Sequence, residues 1–300
     1  MTFVLALVPQ VVVVGLLIGA VYALVALGIT FIASIMKLIN WSMGEFYMIG
    51  SYLQFLLISR VVGPGLWWVA LPLAVLGCFV LGVIVQRVLL APMFDRSEAY
   101  RFEYATIVTI ALSVLFQNTA VWLAGPYQSR PPDYLPTLSL PALGLAVNGS
   151  RLAASGAAAA ILLAFWFFVR KTTVGLAFLA TAQNRLGAQT AGLSLARIDM
   201  LAFGIGVSLA AAAGALLAPV FLVYPSNGAT AAMKGFEIIV IGGLGSLSGA
   251  VVAALALALL ESFGAVFVSP AYQDLYGFAF LIAILAVRPQ GLFGERERRV

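Results

Sequence analysis

Six residues interrupt a long apolar run: Asn40-Trp41-Ser42-Met43-Gly44-Glu45. An amide, a hydroxyl and a carboxylate this close together can hydrogen-bond a polar solute or hand on a proton. The apolar stretch behind them, 46–58, covers only about 20 Å as a helix, against about 30 Å for a bilayer core. A hairpin crossing the membrane here must carry the polar run, and Glu45 with it, into the membrane. Glu45 then has two readings. It is either a carboxylate at a helix end near the cytoplasmic face, paired with Lys37, or a residue that lines or gates a passage. Asn40 and Ser42 also serve to satisfy backbone groups freed at the break.

Gln117 and Asn118 are adjacent polar residues inside another apolar stretch, 103–124, suited to interhelical hydrogen bonds or to solute contact. A second break, Gly242-Gly243-Leu244-Gly245-Ser246-Leu247-Ser248-Gly249, holds four glycines and two serines. That is a poor continuous helix, tolerated at membrane depth only where protein shields it or a cavity adjoins it. Glu261 closes the same segment and is read as an interfacial residue.

Other chemistries lack their residues. The chain has no histidine, the commonest general base and metal ligand. It has no Gly-Lys dipeptide and hence no P-loop, no His-Glu-x-x-His and no clustered metal ligands, so no cofactor or metal is expected. No nucleophile and base stand together, which argues against an enzyme. The one cysteine, Cys78, lies in an apolar run and reads as a small core hydrophobe.

The elements that must position these residues are membrane helices. Hydrophobic residues make up 63% of the 300 and charged residues 9%, a balance that would leave a soluble protein with one contiguous apolar surface. The lipid bilayer is the fitting solvent, with room for roughly eight embedded segments. Met1-Thr2-Phe3 lacks a basic leader, so the first apolar run reads as a retained span. Expected spans are 10–36, 41–59, 66–90, 103–124, 151–169, 198–223 and 272–287, with a broken segment at 235–262. Small residues along 204–218 mark a close-packing face. The Pro- and Gly-rich stretch 125–150 reads as an ordered outer loop, either a cover or a docking surface for a soluble partner.

Three stretches, 87–101, 170–197 and 288–299, carry eleven of the sixteen Lys and Arg residues and mark the cytoplasmic side; this loop clustering gives the charge of +5 no nucleic-acid meaning. Three apolar segments separate the second stretch from the third, and an odd number cannot return the chain to one side. The segment 235–262 is therefore expected to be a re-entrant pair of short helices, which places the N-terminus outside and the C-terminus in the cytoplasm. Within 170–197, the run Ala182 to Ser194, which contains Asn184, Arg185, Leu186, Gly187, Ala191 and Gly192, is compatible with a short amphipathic helix ended by Gly192. Such a helix suits a groove on a cytoplasmic partner.

These residues together carry a resemblance. Tyr22 to Gly28 leading into Ile39 to Met48 resembles the N-terminal signature of permeases from branched-chain amino-acid ABC importers. Leu115 to Asn118, Ala188 to Asp199, Gly242 to Ala250 and Arg288 to Gly294 are similar to later stretches of that family, in order along nearly the whole chain. The chain departs from it in having Trp at position 41 and Ser42-Met43 where Ala followed by His or Gln is commoner. The resemblance implies an all-α polytopic membrane protein, a type II ABC importer-like permease of about seven full spans plus a re-entrant or broken segment, forming one domain over 1–300. It implies a bacterial cytoplasmic (inner) membrane location. Its partners would be a second permease subunit, two cytoplasmic ATPase subunits and an extracytoplasmic solute-binding protein. Residues 182–194 would be the coupling helix. Asn40, Ser42, Gly44, Glu45, Gln117 and Asn118, with Gly242, Gly243, Gly245, Ser246 and Ser248, would line the translocation route. Related permeases for urea, amides or small carboxylates, and a self-sufficient secondary transporter, are the alternatives.

Overall fold

The structure, a computed structural model, describes residues 2–95, 98–140 and 145–294. Met1, Pro141 and, of the basic residues, Arg96, Arg296, Arg298 and Arg299 lie outside them. Eleven α-helices run through the described residues: α1 (Thr2–Met36), α2 (Met43–Leu57), α3 (Trp67–Val85), α4 (Glu98–Ala124), α5 (Gly149–Lys171), α6 (Thr173–Gln183), α7 (Arg185–Thr190), α8 (Leu195–Leu217), α9 (Asn227–Gly242), α10 (Leu247–Phe267) and α11 (Gln273–Val287). Two three-residue strands, β1 (Leu138–Leu140) and β2 (Leu145–Val147), pair antiparallel between α4 and α5.

Seven stretches among the described residues are long and apolar enough to cross a membrane: 8–36, 64–94, 100–124, 149–171, 195–217, 247–267 and 270–287. The number agrees with the sequence reading, but the membership differs. The expected span 41–59 is not among the seven: its helix begins only at Met43 and runs on past Leu57 through a π-helical turn at Ile58–Val62. The expected short re-entrant pair is unequal: α9 has 16 residues, and α10, with 21, is a full-length apolar helix. The chain breaks between them at Gly243 and Gly245, with φ of 99° and 90°, values that only glycine adopts without strain.

Small residues put α8 at the centre, with 83% of its apolar window buried. Without a hydrophobic drive between helices in lipid, packing depends on how closely backbones approach. A Cβ on Gly214 would strike the Tyr47 carbonyl of α2, and one on Gly206 would strike Ile32 of α1. At the opposite extreme, the window of α11 is only 6% buried and that of α4 11%.

The two ends of the bundle are unlike. One end, the basic end, gathers the termini of α1 and α9, the helices α6 and α7, and the segment 288–294. There Leu292 and Phe293 donate backbone N–H groups to the carbonyls of Ile241 and Gly242 at 2.8 and 3.0 Å. The far end carries the described part of the loop after α4. Ser129 and Val223 exchange backbone hydrogen bonds at 2.8 and 2.9 Å, and the Tyr134 ring stacks on Trp67 at 5.0 Å. Burial raises the Tyr134 phenol above its usual range, so it remains a donor, to the Ala215 carbonyl at 2.5 Å.

Candidate functional site

After α1 the chain turns back into the bundle. Lys37 ends the helix with φ of 55°, and residues 38–42 run to Trp41, whose amide donates to Thr109 Oγ1 at 3.3 Å. Thr109 lies nine residues, about 14 Å, inside the apolar window of α4 that opens at Tyr100. The polar run is therefore carried into the membrane-spanning bundle. It survives there by satisfying itself: Asn40 Oδ1 accepts from the Ser42 amide at 3.0 Å and from Ser42 Oγ at 2.7 Å, and Asn40 Nδ2 reaches Met43 Sδ at 3.8 Å. Both side chains are buried and engaged.

Glu45 differs from them. It sits in the first turn of α2, where the helix dipole favours a negative charge, and is 7% exposed. Its Oε1 accepts from Ser113 Oγ of α4 at 2.8 Å, while its Oε2 is buried and accepts no hydrogen bond among the described residues. The expected pairing with Lys37 is not formed. Lys37 turns to the basic end and donates to the Ala182 carbonyl at 3.0 Å. Gly44 packs against α9, where a Cβ would strike the Gly228 carbonyl. Trp41, 44% exposed, lies 5.2 Å from the Phe236 ring.

Facing this turn, α4 presents Thr106, Thr109, Ser113 and Gln117 at spacings of three and four residues, one face of a helix. Sequence reading found only Gln117 of these. The others were hidden because a Thr or Ser in an apolar helix ordinarily bonds its own preceding turn, as Thr109 does to Ala105 at 2.8 Å. Asn118 points away from the seam, exposed, with Nδ2 on the Val114 carbonyl at 2.7 Å.

The second break, 242–249, is not beside the first. A Cβ on Gly243 would meet the backbone of Gly294, and Ser34 Oγ donates to the Gly245 carbonyl at 3.3 Å, which places this break at the basic end. Ser246 caps α10 by accepting from the Gly249 amide at 3.0 Å and lies 3.4 Å, hydroxyl to hydroxyl, from Ser248. Gly242 is buried against Gly249.

The short helix expected in 182–194 is present as α7, with Ala182 in the preceding α6. Asn184 caps it by accepting from the Gly187 amide at 2.8 Å. Gly192, with φ of 89°, ends it beyond Ala191. Leu186 is 72% exposed. Arg185 braces the helix to its neighbours through Asp199, with Nη1 2.8 Å from Oδ1, and through the Ile35 carbonyl at 2.9 Å.

One cluster, buried except for the exposed Asp274, was not assembled by the sequence reading. Lys234 Nζ of α9 lies 2.7 Å from Glu261 Oε1, 2.9 Å from Asp274 Oδ1 and 3.4 Å from Glu237 Oε2. Glu261, read from sequence as interfacial, is 1% exposed. The i,i+3 spacing of Lys234 and Glu237 was the available signal, and the segment boundary drawn at 235 cut through it.

Comparison with known proteins agrees with this architecture. Residues 11–285 match the family described as branched-chain amino acid transport system / permease component. LivH of Escherichia coli (strain K12), a high-affinity branched-chain amino acid transport system permease protein, is 31% identical, with 94% of each chain covered. BraD of Pseudomonas aeruginosa, similarly described, is 30% identical over 94% of each. LivM of Escherichia coli (strain K12) is 26% identical over 91% of this chain and 67% of its own. A chain with the turn, the central small-residue helix and this match over nearly its whole length belongs to the permease family of branched-chain amino acid transport systems.

Proposed function

We propose that this chain is the membrane permease subunit of an ATP-driven importer that carries branched-chain amino acids inward, with ATP hydrolysed by other chains. The observation that carries this reading is the hairpin of 37–57, which delivers a buried carboxylate into the bundle beside α4, a sparsely packed helix. Irregular backbone and an intramembrane carboxylate are tolerated where they adjoin a passage. In this reading the whole chain forms a single membrane domain. Glu45, Gly44, Gln117 and Asn118 border the passage, Asn40 and Ser42 hold the turn in shape, and the break at 242–249 forms the wall near its inner mouth. The exposed, largely apolar face of α4, with Ile107, Val114 and Leu115, turns toward a second permease subunit. That Escherichia coli has two permeases, LivH and LivM, similar to this chain supports a related rather than identical partner.

The basic end faces the cytoplasm, so the N-terminus lies outside and the C-terminus inside. Two ATPase subunits dock at that end, one of them receiving α7 and its exposed Leu186. A soluble binding protein delivers solute to the far end. The chain itself carries out no covalent chemistry. Proteoliposomes holding this chain with its partner permease, ATPases and binding protein should take up L-leucine only when ATP is supplied to the ATPase side. Uptake by the chain alone, driven by an ion gradient, would establish a secondary transporter instead.

A further inference from the structure

The seam between the start of α2 and α4 has a chemical polarity. Beside Glu45 the hydroxyl donors are spent: Ser42 Oγ on Asn40, Ser113 Oγ on Glu45, and Thr109 Oγ1 on Ala105, and only Thr106, farther along α4, keeps one unused among the described residues. What remains unused is acceptor capacity, chiefly Glu45 Oε2, buried and without a hydrogen-bond partner among the described residues. Lys37, the cation nearest to Glu45 in sequence, is held at the Ala182 carbonyl. A carboxylate lacking a counter-charge in a low-dielectric seam is costly, and a cationic donor is its complement. The aromatic pair Phe46 and Phe116, edge to face at 5.6 Å, lies one residue beyond Glu45 and one turn beyond Ser113. That leaves an apolar neighbourhood beside a single charged acceptor.

We infer that the α2–α4 seam, in which Glu45 keeps one buried and unpartnered carboxylate oxygen beside Ser113, is a recognition subsite for the ammonium group of the solute. The inference rests on the permease reading and deepens it by naming the solute class the seam selects. An α-amino acid offers three ammonium donors to Glu45 Oε2 and to the remaining lone pairs of Ser113 and Thr109. Small carboxylates without an amino group meet repulsion there, and urea or neutral amides forgo the charge. Ser113 is a positioning residue: its bond to Oε1 fixes which oxygen is left for the solute. Thr106, with a buried and unpartnered hydroxyl one turn before Thr109, continues the same polar line along α4.

The test uses the complete importer in proteoliposomes. Glu45→Gln keeps an oxygen for Ser113 but removes the charge. L-leucine uptake should fall by about tenfold or more, the effect of one charged hydrogen bond, and Glu45→Asp should recover part of it. Glu45→Gln uptake within about twofold of wild type would overturn the inference and leave the permease reading standing. A wild-type complex without ATP-dependent uptake would overturn the permease reading itself. A second measurement is independent of transport. In a Cys78→Ser background, Gln117→Cys should react faster with the cationic aminoethyl methanethiosulfonate than with its anionic sulfonatoethyl counterpart. After normalisation to free cysteine the preference should be about tenfold, and Glu45→Gln should abolish it. Equal normalised rates with Glu45 intact, or no reaction with either reagent, would overturn the inference even if the Glu45→Gln variant failed to assemble.

Discussion

At position 44 a hydrogen atom is all the space allows. The Gly44 and Gly228 backbones meet so closely that a Cβ on either would strike the carbonyl of the other. Gly44→Val should force α2 and α9 apart and cost about 1–3 kcal/mol, read as a lower melting temperature of the purified protein in detergent. An unchanged melting temperature would mean that the contact yields freely. The Lys234 cluster makes the opposite kind of demand. Lys234→Met removes the cation that three carboxylates share and leaves them with Gln273, which donates to Glu261 at 3.2 Å. Breaking a buried pair from one side costs roughly 3–5 kcal/mol, so this variant should unfold well below wild type. Adding Glu261→Gln should restore part of the loss, and a double variant no better than the single one would show that Lys234 acts through packing alone. Sequence reading reached these residues unevenly, for a physical reason. Glu45 stood out because a carboxylate in an apolar run has no local use. Ser113 and Thr109 look like ordinary helix residues until the partner across the seam is known, and that partner lies 68 positions away in each case.

Among the elements, local signals were legible and tertiary placement was not. Gly192 announced the end of α7, because a left-handed terminator is encoded within a few residues; the sequence reading carried its start back to Ala182 and passed over the Asn184 cap. The glycines of 242–249 likewise announced a break. Nothing local said that this break lies at the basic end against 290–294, or that α10 beyond it is full-length. Those depend on α1 and the C-terminal segment packing over it. The brace on α7 sharpens what a disruption there should do. Gly187→Pro deletes the amide that Asn184 caps and should unwind α7, while Arg185 and Asp199 still anchor its root. In the assembled importer, ATP hydrolysis should then continue with L-leucine uptake lost. Retention of coupled uptake would show that α7 does not transmit the ATPase motion.

For the whole molecule, charge and crossing number must give one topology. Eight of the twelve basic residues of the described segments gather at the end that holds α6, α7 and 288–294, the others being Arg60, Arg130, Arg151 and the ion-paired Lys234, and positive residues favour the cytoplasmic side. The hairpin of α9 and α10 enters from the far end and returns to it. Its two arms, the 16-residue α9 and the full-length α10, run in opposite directions and together return the chain to the side it entered from, which leaves unchanged the parity that the sequence reading reached by treating 235–262 as re-entrant. What changes is where the hairpin turns: at the basic end instead of partway through the bilayer. This places Leu186 and Leu244, both exposed, on one side and Phe221 on the other. Single cysteines at these positions in a Cys78→Ser background test the arrangement in intact and inverted membranes. A membrane-impermeant thiol reagent should label Phe221→Cys only from outside, and Leu186→Cys and Leu244→Cys only from inside when the ATPases have been stripped away. A tag at residue 1 should be accessible from outside and one at residue 300 from inside. Labelling of Leu244→Cys from outside would place the α9–α10 turn on the wrong face. The crossing count would then fail with it, because no even hairpin can end on the side opposite the one it entered from.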